Sequence, residues 1–227
     1  MANTLPRQET WLQELAMFQV HIVDQSNQTA YASYIEQMYR LRYEIYVKER
    51  GWQELDRPDK REIDAFDTSD AVYLLGILPG RGVVAGSRLV PTISPHLLND
   101  VFPMLVEGEV PRASDIFEWT RIFVAKDFRE RGRPSKAAGM MYCAILEHCL
   151  RNSISHVTIV CEQFWVARLS ELGWRPKQLG RAVERGGESL VGLMVEMSTH
   201  ALVTTRKFYT INQSCLADPT NPFASKP

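Results

Sequence analysis

The chain has 227 residues, 45% of them hydrophobic, and a formal net charge of -1. That length suits one α/β domain with a full core, and the near-neutral balance argues against a nucleic-acid partner, which a basic face or stripe would announce. Residues 1–11 lack the apolar core of a secretory signal, and no apolar stretch approaches the roughly 20 residues of a membrane helix, so a cytoplasmic protein is expected.

Residues 10–24 read as a lead-in and a first strand, with Phe18, Val20 and Ile22 alternating against polar neighbours. Tyr31, Tyr34, Ile35, Met38, Leu41 and Ile45 recur at three- and four-residue steps and predict a helix from Tyr31 to Glu49, ended by Gly51. Residues 53–70 are charged and Pro-containing, and a loop of that length inside a compact domain is usually functional or disordered. Two strands, Ala71–Leu78 and Val83–Val90, are joined by the turn Pro79-Gly80-Arg81-Gly82. A short helix at Leu97–Leu105 and a loop at Gly108–Ser114 lead to a third strand, Ile116–Val124, rich in aromatic and β-branched residues.

After a turn at Arg129–Pro134 come a helix at Ser135–Leu150, a strand at His156–Cys161 and a helix at Phe164–Leu172. A last strand, Leu190–Met197, precedes a helix near Thr199–Tyr209. One domain is expected over residues 1–211, with 212–227 a loose polar tail. The cysteines form no C-x-x-C pair. Cys143, His148 and Cys149 fall in an apolar helical stretch and read as buried structural residues, so no metal is expected. Strands that first pair as a hairpin and meander, then alternate with helices, predict a three-layer αβα sandwich with a mixed central sheet. That layout resembles the acetyltransferase (GNAT)-like fold that binds acyl thioesters, although fold alone does not settle activity.

Charged residues stand where the pattern would tolerate something blander. Arg42 is followed by Tyr46 and, past Gly51, by Trp52; Glu62, Asp64 and Asp67 crowd one short run; Arg88 interrupts an apolar strand. On the third strand, alternation puts Glu118, Thr120 and Ile122 on one face and Phe117, Trp119, Arg121 and Phe123 on the other. A buried Arg121 then needs a carboxylate partner. The loop supplies Glu62, Asp64 and Asp67, with Arg42 and Arg88 able to join the same network.

These elements together resemble the LuxI-type acyl-homoserine-lactone synthase family. Arg42, Tyr46 and Trp52 match its arginine–aromatic–tryptophan spacing, and Glu62, Asp64 and Asp67 its E-x-D-x-x-D element. Arg88, Leu89, Pro91 and Thr92 match R-L-x-P-T, Phe102 the following helix phenylalanine, and Glu118 and Arg121 part of W-E-x-S-R-F. The match is dense from Met38 to Val124 and general elsewhere. Tyr46, Phe117, Thr120 and Ile122 depart from the usual phenylalanine, tryptophan, serine and phenylalanine, which leaves the acyl donor open.

The resemblance implies that the amine of S-adenosylmethionine attacks an acyl thioester, after which the methionine carboxylate displaces methylthioadenosine to close the lactone. It implies Glu118 as the base that takes the amine proton. Arg42, Asp64, Asp67 and Arg121 would hold the reacting groups, and Tyr46, Trp52 and Phe102 would wall the adenosylmethionine site. Glu62 and Arg88 would complete a structural polar network. Phe117, Trp119, Val157, Thr158, Trp165 and Met194 are candidates for the acyl pocket. The turn with Arg129, Arg131, Gly132 and Arg133 resembles the R-x-x-G-x-G loop that holds the coenzyme A pyrophosphate, with Pro134 in place of the last glycine. The same arginines would suit an acidic acyl carrier protein; a small acyl-CoA is the favoured donor, and no cofactor beyond the substrates is expected. Two rivals share the fold: an N-acetyltransferase using acetyl-CoA, and a non-catalytic ligand-binding relative.

Overall fold

A computed structural model of the chain describes residues 18–130 and 135–218. Eight strands form one sheet: β1 (Gln19–Val23), β2 (Val72–Leu78), β3 (Gly82–Pro91), β4 (Ile116–Val124), β5 (His156–Glu162), β6 (Pro176–Gln178), β7 (Val183–Arg185) and β8 (Glu188–Glu196). Their order is β1-β2-β3-β4-β5-β8-β6, with β7 also paired to β8. The helices are α1 (Ala32–Arg42), α2 (Leu97–Asp100), α3 (Lys136–Arg151), α4 (Phe164–Glu171) and α5 (Thr199–Tyr209). The mixed sheet between helical layers is the sandwich expected from the order of elements.

Two apolar layers hold it. On one face α3 and α5 cover Leu74, Leu89, Trp119, Val157 and Leu193. Gly139 lets α3 approach the Tyr209 ring of α5, which any side chain at that position would overlap. On the other face α1 brings Met38 against Tyr73, Leu75, Val90 and Phe123. Each fully buried Leu or Met contributes on the order of 1.5–3 kcal/mol, so a charge at Leu193 or Leu75 would break its layer.

Among the named strands of the described residues, the one parallel pair is β4–β5, and its register covers only Ile116–Glu118 against His156–Thr158. Beyond Glu118 and Thr158 the two strands pair only with their outer neighbours. They therefore form a V, closed at Glu118 and Thr158, with Val124 and Glu162 at its open lips.

Four local outcomes differ from expectation. The predicted helix to Glu49 widens after Arg42 into a π-helix over Tyr43–Glu49, in which the Arg50 N–H reaches the Ile45 carbonyl at 2.9 Å. The wider turn lets Tyr43, Ile45, Tyr46 and Val47 all bury, and π-turns of this kind concentrate at functional sites. Gly51, at φ +76°, ends it in the left-handed region. The expected helix at Leu97–Leu105 divides into α2 and a 3₁₀ turn at Pro103–Leu105, since Pro103 cannot continue the hydrogen-bond ladder. β6 and β7 escape the pattern because three charged or polar-rich residues carry no alternation.

The tail expected from residue 212 is docked on the sheet over residues 214–217 rather than loose. The Val20 N–H donates to the Cys215 carbonyl and the Ala217 N–H to that of Val20, both at 2.9 Å, and Cys215 and Leu216 are buried. β1 would otherwise present an unpaired edge. The buried Glu147 carboxylate fastens the same segment, accepting from the Ser214 hydroxyl at 2.5 Å and the Cys215 N–H at 3.2 Å. Cys143, Cys149 and Cys215 are buried and all four cysteines are free thiols.

Candidate active site

The site begins with a fault in β4. Gly86 is opposite Phe123 and Arg88 opposite Thr120, so Ser87 faces two residues, Arg121 and Ile122. This is a β-bulge, and Arg121 takes the extra position at φ +53°. Simple alternation is therefore wrong past Thr120. Arg121 swings to the Glu118 and Thr120 face, while Ile122 joins Phe117, Trp119 and Val124 against the α3 layer. The Ile122 carbonyl at the bulge accepts the Tyr46 hydroxyl at 2.8 Å.

On that face three arginines meet three carboxylates. Arg42 Nε lies 2.5 Å from Glu62 Oε2, and its two terminal nitrogens grip Asp67 at 2.7 and 2.9 Å. Arg88 grips Asp64 at 2.6 and 3.0 Å, touches Asp67 at 2.8 Å, and donates through Nε to Thr120 Oγ1 at 3.1 Å. Arg121 Nη2 bridges Glu62 at 3.1 Å and Asp64 at 2.7 Å. Tyr73, itself 3.2 Å from the Tyr39 hydroxyl, donates to Asp67 Oδ1 at 3.0 Å. The loop at residues 62–67 is shaped by its own carboxylates: the Asp64 N–H donates to Asp67 and the Phe66 N–H to Asp64, each at 2.9 Å.

Three positive and three negative groups cancel. Burial alone would raise the pKa of Asp64 and Asp67, but the Arg88 and Arg42 guanidinium groups hold both below the usual carboxylate range. Burial alone would lower that of Arg42, and Asp67 and Glu62 reverse it. Removing one member of such a buried set costs about 3–5 kcal/mol because a charge is stranded.

Trp52 stacks on Tyr46 with ring centroids 4.9 Å apart, and the Arg121 guanidinium lies 5.5 and 5.6 Å from the two rings. Arg121 thus does lie among aromatics, but these rather than those of its own strand. Phe102, half-buried just past α2, lies 4.8 Å from the guanidinium of Arg185 on β7.

Glu118 is built differently. It is fully buried at the closed end of the V. One oxygen accepts the Leu97 N–H at 2.7 Å and the other the Leu98 N–H at 2.6 Å, the free donors at the start of α2. Burial pushes its pKa up, the Leu98 and Leu97 N–H groups pull it back, and it stands at about 7. Thr158 is its direct neighbour on β5, and the buried Thr158 hydroxyl has no hydrogen-bond partner. His96, just before Leu97, places Nδ1 2.9 Å from the Ser94 carbonyl, so Nδ1 donates. Its buried Nε2 is left as an unpartnered acceptor, and burial lowers the His96 pKa, keeping the ring neutral.

The six acyl-pocket candidates do not share one face. Thr158 and its β8 partner Met194 lie on the Glu118 face. Trp119 and Val157 are buried in the α3 layer, with Phe117 and Trp165 packed against it. Trp119 donates Nε1 to Ser87 Oγ at 2.6 Å and lies 5.4 Å from the Trp174 ring. Leu98 and Leu105 cover the Glu118 face, close enough to β8 that a side chain at Gly192 would press on both.

Arg129 is committed elsewhere than foreseen: Nε donates to the Val124 carbonyl and Nη1 pairs with Glu49, each at 2.6 Å. Arg131, Gly132 and Arg133 lie outside the described residues. Tyr39, Tyr73, Ser87 and His96 were missed by sequence reasoning, since nothing in their spacing separates them from ordinary strand, helix or loop residues. Among the described residues, no group of three or more His, Cys, Asp or Glu side chains is arranged to hold a metal ion, and no helix is long and apolar enough to cross a membrane.

A mixed sheet that opens at one parallel pair beside a charge-balanced polar site defines an acyltransferase of the acyl-thioester-binding fold. The model of the autoinducer synthase family matches residues 26–203, and the chain belongs to that family; it is an acyl-homoserine-lactone synthase. It is 40% identical over 163 residues to the isovaleryl-homoserine lactone synthase of Bradyrhizobium diazoefficiens, covering 71% of this chain and 72% of that one. The solved structure of MesI, a CoA-dependent acyl-homoserine lactone synthase, superposes with a TM-score of 0.80 at 42% identity, over 88% of this chain and 99% of MesI. That of BjaI, CoA-dependent and solved with SAM and isopentyl-CoA, superposes at 0.82 and 33%, over 88% and 93%. A Lactobacillus plantarum chain named as an N-acetyltransferase, at 19% identity and a TM-score of 0.51, shares the fold alone.

Proposed function

We propose that this synthase takes a short acyl group from coenzyme A, that Glu118 is the base for acylation, and that the arginine–carboxylate network positions S-adenosylmethionine without exchanging protons. The donor is supported by MesI and BjaI, both CoA-dependent, and by the isovaleryl product in the name of the Bradyrhizobium relative. The observation that carries the assignment of the base is the contrast in proton affinity. Asp64 and Asp67 are held ionised by arginines and make poor bases, whereas Glu118 stands at about 7, where a general base works best near neutral pH.

In the first step the amine nitrogen attacks the thioester carbonyl. Starting from the ammonium form, one proton passes to Glu118 directly or through a water to free the nitrogen lone pair. The C–N bond then forms, the C–S bond breaks, and the second proton lost from nitrogen goes to the departing thiolate, which leaves as the thiol. In the second step a methionine carboxylate oxygen attacks the carbon next to the sulfonium, whose C–S bond breaks to release neutral methylthioadenosine. Trp52, half-buried and backed by the buried Tyr46 ring, offers a ring face suited to a sulfonium cation, and the Leu97 and Leu98 N–H groups aim the Glu118 carboxylate.

The rate of acylation is expected to rise with pH through about 7 in wild type, read by release of the donor thiol from pH 5.5 to 8.5. A flat profile would remove Glu118 from the role. Turnover with isovaleryl-CoA and with isovaleryl-carrier protein tests the donor separately, and equal or better use of the carrier overturns the CoA reading.

A further inference from the structure

The C-terminal end of the π-helix spans the open end of the V. Its last residue, Glu49, pairs with Arg129 at 2.6 Å, and Arg129 is fastened to Val124, the last residue of β4. The next residue, Arg50, faces Glu162, the last residue of β5, at 3.7 Å. One helix end therefore reaches both lips of the cleft.

The two links are unequal. Arg129 uses both Nε and Nη1 at short range. Arg50 does not: 3.7 Å is well beyond the ~2.7–2.9 Å of a charge-assisted hydrogen bond, and its side chain is 45% exposed. Yet Arg50 is not loose, because its guanidinium lies 5.5 Å from the Tyr46 ring centroid and 5.9 Å from that of Trp52. An arginine lodged beside two aromatic rings, its charge only half-satisfied by a carboxylate, is preorganised for a stronger anion. At the mouth of a thioester cleft that anion is a phosphate of the pantetheine-bearing donor, and arginine suits it by its planar fork of donors.

We propose that Arg50 is a donor-phosphate contact and that Glu162 holds it in reserve until a phosphorylated donor displaces the carboxylate. This deepens the acyl-donor reading and rests on it. The phosphate is shared by coenzyme A and by the phosphopantetheine arm of a carrier protein. Because Arg50 rests on the Tyr46–Trp52 stack, donor arrival is felt at the wall assigned to adenosylmethionine.

The test uses the full chain with saturating S-adenosylmethionine and one acyl group carried on coenzyme A, on 4′-phosphopantetheine, on pantetheine and on carrier protein. The readout is the kcat/KM of each phosphorylated donor divided by that of acyl-pantetheine. In Arg50→Gln the ratio is expected to fall about tenfold, the lower end of a charged hydrogen bond after allowance for exposure. In Glu162→Gln, which frees Arg50, it is expected to rise about two- to threefold by loss of a weak competing pair. The 4′-phosphopantetheine arm tells the phosphate shared by both donors from those peculiar to coenzyme A. An equal loss on all donors in Arg50→Gln would make the residue a packing element and overturn the proposal, as would an unchanged ratio or a fall in Glu162→Gln. If wild type accepts only the carrier protein, the CoA reading fails. Arg50→Gln must then still lose about tenfold on the carrier, and unchanged turnover there sinks the Arg50 assignment by itself.

Discussion

Two buried polar centres lie three residues apart on β4. Around Arg121 every charge has an opposite partner, and three arginines and three carboxylates lock the loop, α1 and the sheet together. Around Glu118 the accounts do not close: a carboxylate is held only by backbone N–H groups, and beside it the Thr158 hydroxyl and His96 Nε2 have no partner. The first arrangement gives up proton affinity for rigidity. The second accepts imperfect solvation and gains a group that titrates near neutrality. On the reading proposed above, catalytic proton transfer falls to the second and substrate registration to the first.

The comparison breaks most sharply in turnover. Glu118→Gln is expected to cut lactone formation by about 10²–10⁴-fold, measured by product mass spectrometry. The amide must turn its NH₂ toward a backbone N–H, so a stability loss of about 1–3 kcal/mol accompanies it, read by urea unfolding. A variant with near-wild-type turnover would end the role of Glu118. Next comes Arg42→Met, which leaves three buried carboxylates to two arginines, Glu62 keeping Arg121 and Asp67 keeping Arg88, and should cost about 3–5 kcal/mol in the same unfolding experiment; a loss below 1 kcal/mol would mean that the network is not the lock described.

The pH dependence sharpens the contrast. Glu118 has a raised folded pKa, so its contribution is present below about 4.5 and lost as pH rises toward 7. Asp64 and Asp67 have lowered values, so theirs is present above about 3.8 and lost as pH falls further. Relative to Glu118→Gln, wild type should lose stability as pH rises from about 4.5 to 7; the buried neutral His21, His96 and His148, whose lowered pKa values act in the opposite sense, are common to both chains and cancel in the difference. The smallest effect is at Thr158. Thr158→Val deletes an unpartnered hydroxyl and should leave stability unchanged or raise it by up to about 1 kcal/mol. A clear loss in melting temperature would show that the hydroxyl is satisfied after all.

Much of this was legible in the chain. The sandwich followed from the order of elements, and the network from carboxylates at 62, 64 and 67 facing arginines in apolar runs. Burial forces such charges to find each other, although sequence could not say which arginine takes which acid. What stayed hidden was local irregularity. A bulge leaves no periodic trace, so alternation puts Arg121, Ile122 and Phe123 each on the wrong face. Arg50 sits in the run Lys48-Glu49-Arg50, which reads as a solvated helix end. The segment at 214–217 packs through two apolar residues and backbone pairing, too short for any pattern.

The bulge and the π-helix are each a single-residue surplus in an otherwise regular lattice, and they abut at the bond from Tyr46 to the Ile122 carbonyl. They behave as matched dislocations. Deleting the surplus residue from β4 alone would turn Arg121 into the α3 layer and withdraw the carbonyl from Tyr46; tightening the helix alone would pull Tyr46 from that carbonyl. Insertions and deletions at these two places should therefore be tolerated only as a pair, which ties the lengths of two segments some eighty residues apart in the chain.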